Sequence, residues 1–469
     1  MLSRTHPHCL DSYMTVASPW CRVTGFIIIG LALAVPPSEG QHTPAVLTRQ
    51  ELARRVVAYV GPLVRMRDFS GAVLLARGGR VLVDSAYGLA SYELGVRASS
   101  TMKFGIGSVT KTFTAAAIEL LAQRGRLSLH DTLSKFLPGL VFGDSVTLEQ
   151  LLAHTAGVPD YYGLPEYAVR RTEPISLDEF ALLIGSKPLD FKPGSDGRYS
   201  NSGYKLLAAV VERVSGMSYN TFMRTQIFEP LHLAETGNLG DGGLVERLAP
   251  GYDPGFLPVR VQPAEYTSPS WLEGDGSVYS TGADLLRWTE AIQSDALVYT
   301  SSLPYPYGWG KHVRFGREVL EQNGRIPAGY AAYVGTYPKE GVTVIVLSNI
   351  QSAVVDQMGA DLAALALGEQ YEIPAIRSGA LTRAEVDSVA LNKLAGKYQV
   401  FPGFVLTVRA TTRGLLLAGP EGAFLPLDNE GPGQFFFRPL YVPIRFRTDS
   451  TGRALALLWA GTQECTRVE

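Results

Sequence analysis

Ser108 and Lys111 stand three positions apart in Gly107-Ser-Val-Thr-Lys111, at the start of a strongly apolar run. On a helix that spacing puts both side chains on one face, one turn apart, where an amine can reach a hydroxyl. A serine hydroxyl is a poor nucleophile until a base takes its proton. A lysine serves as that base only when burial or a neighbouring cation depresses its pKa. Residues 108–124 read as a helix on which Phe113, Ala115, Ala116, Ala117, Ile118, Leu120 and Leu121 cover most of the circumference, the pattern of a buried helix. Gly125 fits its C-terminal stop. The free N–H groups of its first turn can also stabilise an oxyanion. The same Ser-x-x-Lys spacing recurs at Ser100/Lys103 and Ser202/Lys205, but only Ser108 follows a Gly-x-Gly turn (Gly105-Ile-Gly107) and opens an apolar helix. Spacing and context leave two readings of Ser108: a nucleophile, or the N-cap of the helix.

A second cluster is Tyr199-Ser200-Asn201, after the Pro/Gly-rich loop Phe191-Lys-Pro-Gly-Ser-Asp-Gly197 and before a helical pattern. A phenol beside a lysine can shuttle a proton, and the Asn201 amide can grip a carbonyl or bond the lysine. The plainer reading is a turn tyrosine followed by a capping Ser or Asn. Other hydrolase designs find little support. There is no complete Gly-x-Ser-x-Gly elbow. Outside the first 40 residues the histidines are His42, His130, His154, His232 and His312, widely separated, with no His-Glu-x-x-His or Cys/His cluster. No metal or other cofactor is therefore expected. His154, in Leu-Leu-Ala-His-Thr-Ala-Gly, reads as a structural hydrogen-bonder at a helix end.

The elements that must position these residues follow from pattern. A helix is expected over 51–64, then a hairpin of Gly71–Arg77 and Arg80–Asp84 across Gly78-Gly79. Helices follow at 147–154, 176–185, 202–215, 218–228 and 281–293. A second hairpin is expected from Gly329–Tyr337 and Val342–Ser348. Strands at both ends with helices between imply one sheet assembled from both ends of the domain. After Pro374-Ala-Ile-Arg-Ser-Gly379 and a short helix over 382–393, evenly spaced short strands predict a small antiparallel barrel or sandwich. A chain of 469 residues suits such a pair, one large domain and one small.

Hydrophobic residues make up 46% of the chain and charged residues 18%, an ordinary globular balance, and the net charge of −2 provides no global field for nucleic acid. The expected partner is a small-molecule or peptide substrate. Phe26–Val35 is a short apolar run preceded by Arg22 and followed by the small-residue site Ser38-Glu39-Gly40, which reads as an export signal. Met14 is a second candidate start. An uncleaved membrane anchor is the alternative. Removal of the leader would leave Cys465 as the one cysteine, so no intrachain disulfide is expected. The expected organisation is a leader (1–40), a main domain (41–372), a linker with a short helix (373–390) and a β-barrel (391–469). The location is periplasmic or secreted.

Together the segments resemble the serine β-lactamase-related family, which includes class C β-lactamases, D-alanyl-D-alanine carboxypeptidases and esterases. Those segments are Phe104–Lys111, Val146–Val158, Phe191-Lys-Pro-Gly through Tyr199-Ser-Asn-Ser-Gly-Tyr204, Ile227-Phe-Glu-Pro-Leu231 and Gly276-Ser-Val-Tyr-Ser-Thr281, in the right order across about 70–350. The resemblance implies an α/β (α+β) domain: a β-lactamase/transpeptidase-like mixed sheet with flanking helices and a helical region. Leu394-Ala-Gly-Lys-Tyr398 resembles the opening of the small all-β domain often appended to it. It also implies that Ser108 forms an acyl-enzyme, that Lys111 and Tyr199 move protons and that Asn201 orients substrate. The family's third motif, His- or Lys-x-Gly on a strand, matches Gln322-Asn323-Gly324-Arg325, and the resemblance implies these four as substrate-binding residues beside Asn201. Gln322 thus replaces the usual basic residue. The Arg325 N–H is implied as the second oxyanion donor, and the Arg325 side chain is a candidate carboxylate ligand. An ester, a D-alanyl peptide or a cyclic amide fits this chemistry, with an esterase or peptidase favoured over an efficient β-lactamase. The alternatives are an inactive relative that binds peptidoglycan fragments or a partner, and a structural protein. Oligomeric state is not encoded in any motif.

Overall fold

The structure, a computed structural model, describes residues 47–254, 261–298, 307–374, 388–401, 404–419 and 424–469. The expected leader and most of the expected linker lie outside the described residues.

Helix α1 (Arg49–Arg65) leads into strands β1 (Gly71–Arg77) and β2 (Arg80–Tyr87), followed by α2 (Thr110–Gln123). The middle of the chain carries α3 (Leu177–Gly185), α4 (Asn201–Ser215) and α5 (Gly282–Gln293) among short helices and loops. Strands β3 (Gly310–Arg314), β4 (Arg317–Ile326), β5 (Tyr330–Tyr337) and β6 (Val342–Ser348) then precede α6 (Val354–Leu367). The main sheet is six-stranded, in the order β3-β4-β5-β6-β1-β2. The first and last strands of the domain thus meet at its centre, as the sequence implied, with Gly71 opposite Ser348.

The central strands are buried on both faces, so β6 (Val-Thr-Val-Ile-Val-Leu-Ser) is buried at every residue and mostly apolar rather than alternating. Strand periodicity sorts the two cores. Val73, Leu75, Val344 and Val346 face α1 and α6. Ala72, Leu74, Ile345 and Leu347 face α2, α5 and the helical region. Helix α6 and strand β3 had no counterpart in the sequence reading. The pattern of α6, Val-Val-Asp-Gln-Met-Gly-Ala-Asp-Leu-Ala-Ala-Leu-Ala-Leu, is apolar on nearly every side and lacks a capping side chain.

Helix α2 is buried along most of its length, including its polar residues. The threonines of its first turns are answered: Thr112 accepts from the Trp288 indole (2.9 Å), Thr114 bonds Tyr219 (2.7 Å) and the Gly274 carbonyl (2.7 Å), and Thr110 accepts from the Val278 N–H (3.1 Å). Phe113 stacks on Trp288 with ring centroids 4.1 Å apart. Such satisfaction lets a polar helix end sit in a core without stranding donors, and it fixes where Ser108 and Lys111 lie.

The last part of the chain forms a nine-stranded antiparallel sheet whose outermost strands are Leu425–Pro426 and Asp428–Gly431. Only Leu427 separates those edges in sequence, so the sheet must curl until they lie side by side, a nearly closed barrel. Of the helix expected over 382–393, the described part is Ser388–Leu394. Arg438 of the barrel lies 3.4 Å from the Asp68 carboxylate at the end of α1 and 3.3 Å from Asp428. The Asp68 side chain is fully buried. Removing one member of a buried ion pair leaves the other charge uncompensated. Arg438→Met should therefore cost on the order of 3 kcal/mol, read as a lowered chemical-denaturation midpoint of the main domain; an unchanged midpoint would show that the barrel contributes nothing through this tie.

Candidate active site

The chain enters α2 through a tight passage. Phe104-Gly105 pairs with Tyr279-Ser280, and Gly107 turns in the left-handed region (φ 53°) before the 3-10 turn Gly107–Val109. A side chain on Gly107 would put its first carbon 2.7 Å from the Arg325 nitrogen, and one on Gly324 would lie 2.6 Å from the Ser108 nitrogen. The Gly-x-Gly turn exists because two backbones touch here and no Cβ fits between them.

Ser108 is buried but caps no helix; neither the 3-10 turn nor α2 has a side-chain cap. Its hydroxyl instead meets two groups: Lys111 Nζ donates to it at 3.1 Å, and the Tyr199 hydroxyl at 2.8 Å. The N-cap reading of Ser108 is thereby overturned. Lys111 Nζ also donates to Asn201 Oδ1 (2.7 Å) and to the Asp275 carbonyl (2.9 Å), so all three of its hydrogens have a direction. It lies 4.9 Å from the Tyr199 ring centroid. Asn201 is held in turn by donating to Asp160 Oδ2 (2.8 Å). The Ser200 side chain caps α4 through the Gly203 N–H (3.3 Å), so capping and proton chemistry are divided between neighbours in Tyr199-Ser200-Asn201.

Burial pushes the Lys111 pKa down to about 8, against the opposing pull of the Asp275 and Asp160 carboxylates. A useful fraction is therefore unprotonated near neutrality. Burial raises Asp275 to about 7, with Lys111 and Lys205 pulling it down. Burial likewise raises Asp160, while the Tyr162 N–H and Asn201 stabilise its charge. His154 is pushed down to about 3, first by burial and then by Lys111, and stays neutral. Its Nδ1 accepts the Ser200 N–H (3.2 Å) and its ring stacks on Tyr199 at 4.4 Å, the structural role its position implied. The other two Ser-x-x-Lys spacings form no such pair: Ser202 accepts the Tyr161 N–H, Lys205 donates to the Ser270 carbonyl, and Lys103 pairs with Glu235.

The third-motif residues divide by strand alternation. Gln322 and Gly324 face the nucleophile side. The Gln322 amide donates to the Gly308 carbonyl (2.7 Å) and accepts the Asn323 N–H (3.1 Å). Gly308 packs against the Lys111 backbone, so Gln322 clamps that segment onto α2. Asn323 and Arg325 point to the opposite face, toward Asp356 on α6; Arg325 Nη1 meets Asp356 Oδ2 at 2.5 Å. The expectation of Asn323 and Arg325 side chains as substrate ligands is corrected accordingly, because successive side chains of a strand cannot share a face.

The backbone of β4 behaves differently. Phe315 and Gly316, both at positive φ, join β3 to β4 in a two-residue turn, and β3 pairs residue by residue only as far as Gly310 opposite Glu321. In such a hairpin Arg317, Val319 and Glu321 exchange bonds with β3, so the odd-numbered N–H groups point to that edge. Beyond Glu321 no strand among the described residues covers it. There the Asn323 N–H takes Gln322, and the Arg325 N–H opens beside Gly107 and Ser108. Two main-chain donors can thus converge on one oxygen next to Ser108. No group of metal-ligating side chains occurs among the described residues.

Sheet, helical region and site together are those of a β-lactamase/transpeptidase-like fold. Residues 56–368 match the Beta-lactamase family model, and the chain belongs to that family. It is penicillin-binding-protein-like within it. Penicillin-binding protein 4* of Bacillus subtilis (strain 168) is 28% identical over 430 residues, covering 85% of this chain and 94% of that one. Among solved structures, a penicillin binding protein from Bacillus halodurans superposes with a TM-score of 0.58 at 27% identity, covering 65% of this chain and 98% of the other. A D-stereospecific amidohydrolase from Streptomyces sp. does so with a TM-score of 0.54 at 25% identity, over 63% and 94% of the two chains. These likenesses support a serine hydrolase of the acyl-transfer type.

Asp160, Asp275 and Asp356 escaped the sequence reading. Asp275 directly precedes the Gly276–Thr281 segment and could have been noticed there; nothing local marks Asp356. Asp275→Asn keeps the main-chain acceptor for Lys111 but removes a carboxylate that holds its pKa up. The acid limb of Ser108 reactivity, followed as labelling rate against pH, should move to lower pH; an unmoved limb, or one displaced upward, would refute the coupling.

Proposed function

We propose that the protein hydrolyses esters or amides by forming an acyl-enzyme at Ser108. The observation that carries this reading is the Ser108 hydroxyl in contact with both Lys111 Nζ and the Tyr199 hydroxyl. Unprotonated Lys111 takes the Ser108 proton as Oγ attacks the substrate carbonyl. The Ser108 and Arg325 N–H groups hold the resulting oxyanion. Tyr199, between the lysine and the reacting centre, passes a proton to the leaving group as the carbonyl reforms. Water then attacks the acyl-enzyme while the same groups run in reverse, restoring the serine. Asn201 keeps Lys111 directed and orients the substrate.

Substrate class follows from which charges are already committed. Arg325 is paired with Asp356, and Gln322 supplies a neutral amide where the family has a base. The side chains expected to hold a substrate carboxylate are thus occupied or uncharged. That supports neutral esters and amides over C-terminal D-alanyl peptides and over β-lactams, whose recognition draws on a carboxylate. Gln322 is also the feature that favours a binding-only relative. Its hydrogen bonds clamp the α2 segment and leave the Ser108–Lys111–Tyr199 contacts in place, which favours turnover. The run Phe26–Val35 supports a location outside the cytoplasm.

A fluorophosphonate probe should add once to the protein, at Ser108, with no adduct in Ser108→Ala; an absent adduct in folded wild-type protein would reject the reading. Because the free amine is the base and the Lys111 pKa is near 8, kcat/KM should rise with pH through about 8. Tyr199→Phe should lower kcat by roughly 10²–10⁴. For a D-alanyl dipeptide, the amide or methyl ester should be turned over faster than the free acid, as measured by kcat/KM on the matched pair; preference for the acid would reverse the substrate assignment.

A further inference from the structure

Strand β4 turns an unusual row of side chains toward α6: Glu321, Asn323 and Arg325, in a layer otherwise filled by Val319, Tyr333, Val344 and Met358. Glu321 is answered by Tyr333 (2.6 Å) and Arg314 (2.7 Å). Arg325 is answered by Asp356 at 2.5 Å, with side-chain exposures of 3% and 12%, and Asn323 lies beside the same carboxylate. Asp356 sits in the first turn of α6, where the helix N-terminus also favours a negative charge. The opposite face of β4 at this point is the site itself: Gly324 against Ser108, and the Arg325 nitrogen against Gly107. One residue therefore carries its main-chain N–H to the site and its guanidinium to a buried anchor on the far side of the sheet. Among the described residues no strand pairs with the outer edge of β4 beyond Glu321, so the described sheet hydrogen-bonds this stretch from one side only.

We propose that Arg325 and Asp356 form a positioning pair that fixes the oxyanion-binding stretch of β4 against the nucleophile. This rests on the acyl-transfer reading above. The pair touches no substrate; it acts through the register of the Arg325 N–H. A donor displaced by a fraction of an ångström no longer matches the oxygen of the tetrahedral species, and misplacement on the order of 1 Å can cost about a hundredfold in rate. Breaking the pair also strands a buried charge, so the variants must separate positioning from folding.

The experiment is a time course of fluorophosphonate labelling on wild type, Arg325→Met and Asp356→Asn, read by intact mass for both rate constant and final stoichiometry. The phosphorus–oxygen group of the probe occupies the place of the oxyanion, so no natural substrate is needed. Expected is a full final adduct at Ser108 in both variants, formed about tenfold or more slowly, with the pH dependence of the rate parallel to wild type because Lys111 is untouched. A merely structural pair would give the opposite split: a reduced final adduct formed at the wild-type rate, which overturns the proposal. Rates within about twofold of wild type would overturn it as well. Should Arg325→Met fail to fold, Asp356→Asn, which preserves side-chain shape, decides the question. A wild type that takes no label at Ser108 would overturn the acyl-transfer reading itself and this inference with it, whereas labelled wild type with unaffected variants removes the positioning role alone.

Discussion

A lysine side chain with no contact to water has to be satisfied wholly by the protein, and in this chain that requirement organises the centre of the molecule. Lys111 has three donors and finds three acceptors: Ser108 Oγ, Asn201 Oδ1 and the Asp275 carbonyl. Each acceptor comes from a different element: the turn before α2, the start of α4, and the loop before α5. Moving any of them would leave a buried donor unpaired, a cost of one to a few kcal/mol per group. The same burial depresses the lysine pKa, so the constraint that holds these elements together also sets the proton affinity of the amine.

Around that centre the structure uses backbone where a motif reading sees side chains. Gly107 and Gly324 are glycines because the two main chains they belong to lie in contact. Among the described residues no strand pairs with β4 beyond Gly310, which leaves the Arg325 N–H outside the sheet ladder. The guanidinium of that residue faces the other way, to Asp356. A residue in the middle of a two-sided sheet serves both faces at once through main chain and side chain, and Arg325 does so across the boundary between the site and the α1/α6 layer.

The C-terminal barrel has a different relation to the site. Its described contacts reach the α1 side of the main domain, through Arg438 and Tyr441 against Asp68. Its own core is continuous from Leu391 to Cys465. Burial raises the Cys465 thiol to about 11, which makes it an inert packing group.

Much of this was legible in sequence because it is encoded locally. The apolar circumference of 110–123, the alternation and turns of the β1–β2 and β5–β6 hairpins, and the Ser-x-x-Lys spacing each depend on neighbours within a few residues. The joining of β1 to β6 followed from where the strands fell. What remained undecided was whatever depends on register and on the far side of a layer. That Ser108 does not cap the helix was decided by its meeting with Tyr199, 91 positions away, which reaches its hydroxyl. Arg325 and Asn323 were assigned to the site because sequence gives their order but not their face. Helix α6 lacked a signal because an all-round apolar pattern with no cap looks the same in a buried helix and a buried strand, and Asp356 on it meets its partner only across the sheet. Sequence by itself determined which residues could do chemistry and which segments could be elements; tertiary structure decided which faces meet, because pairing across a sheet depends on packing between segments that no local pattern records.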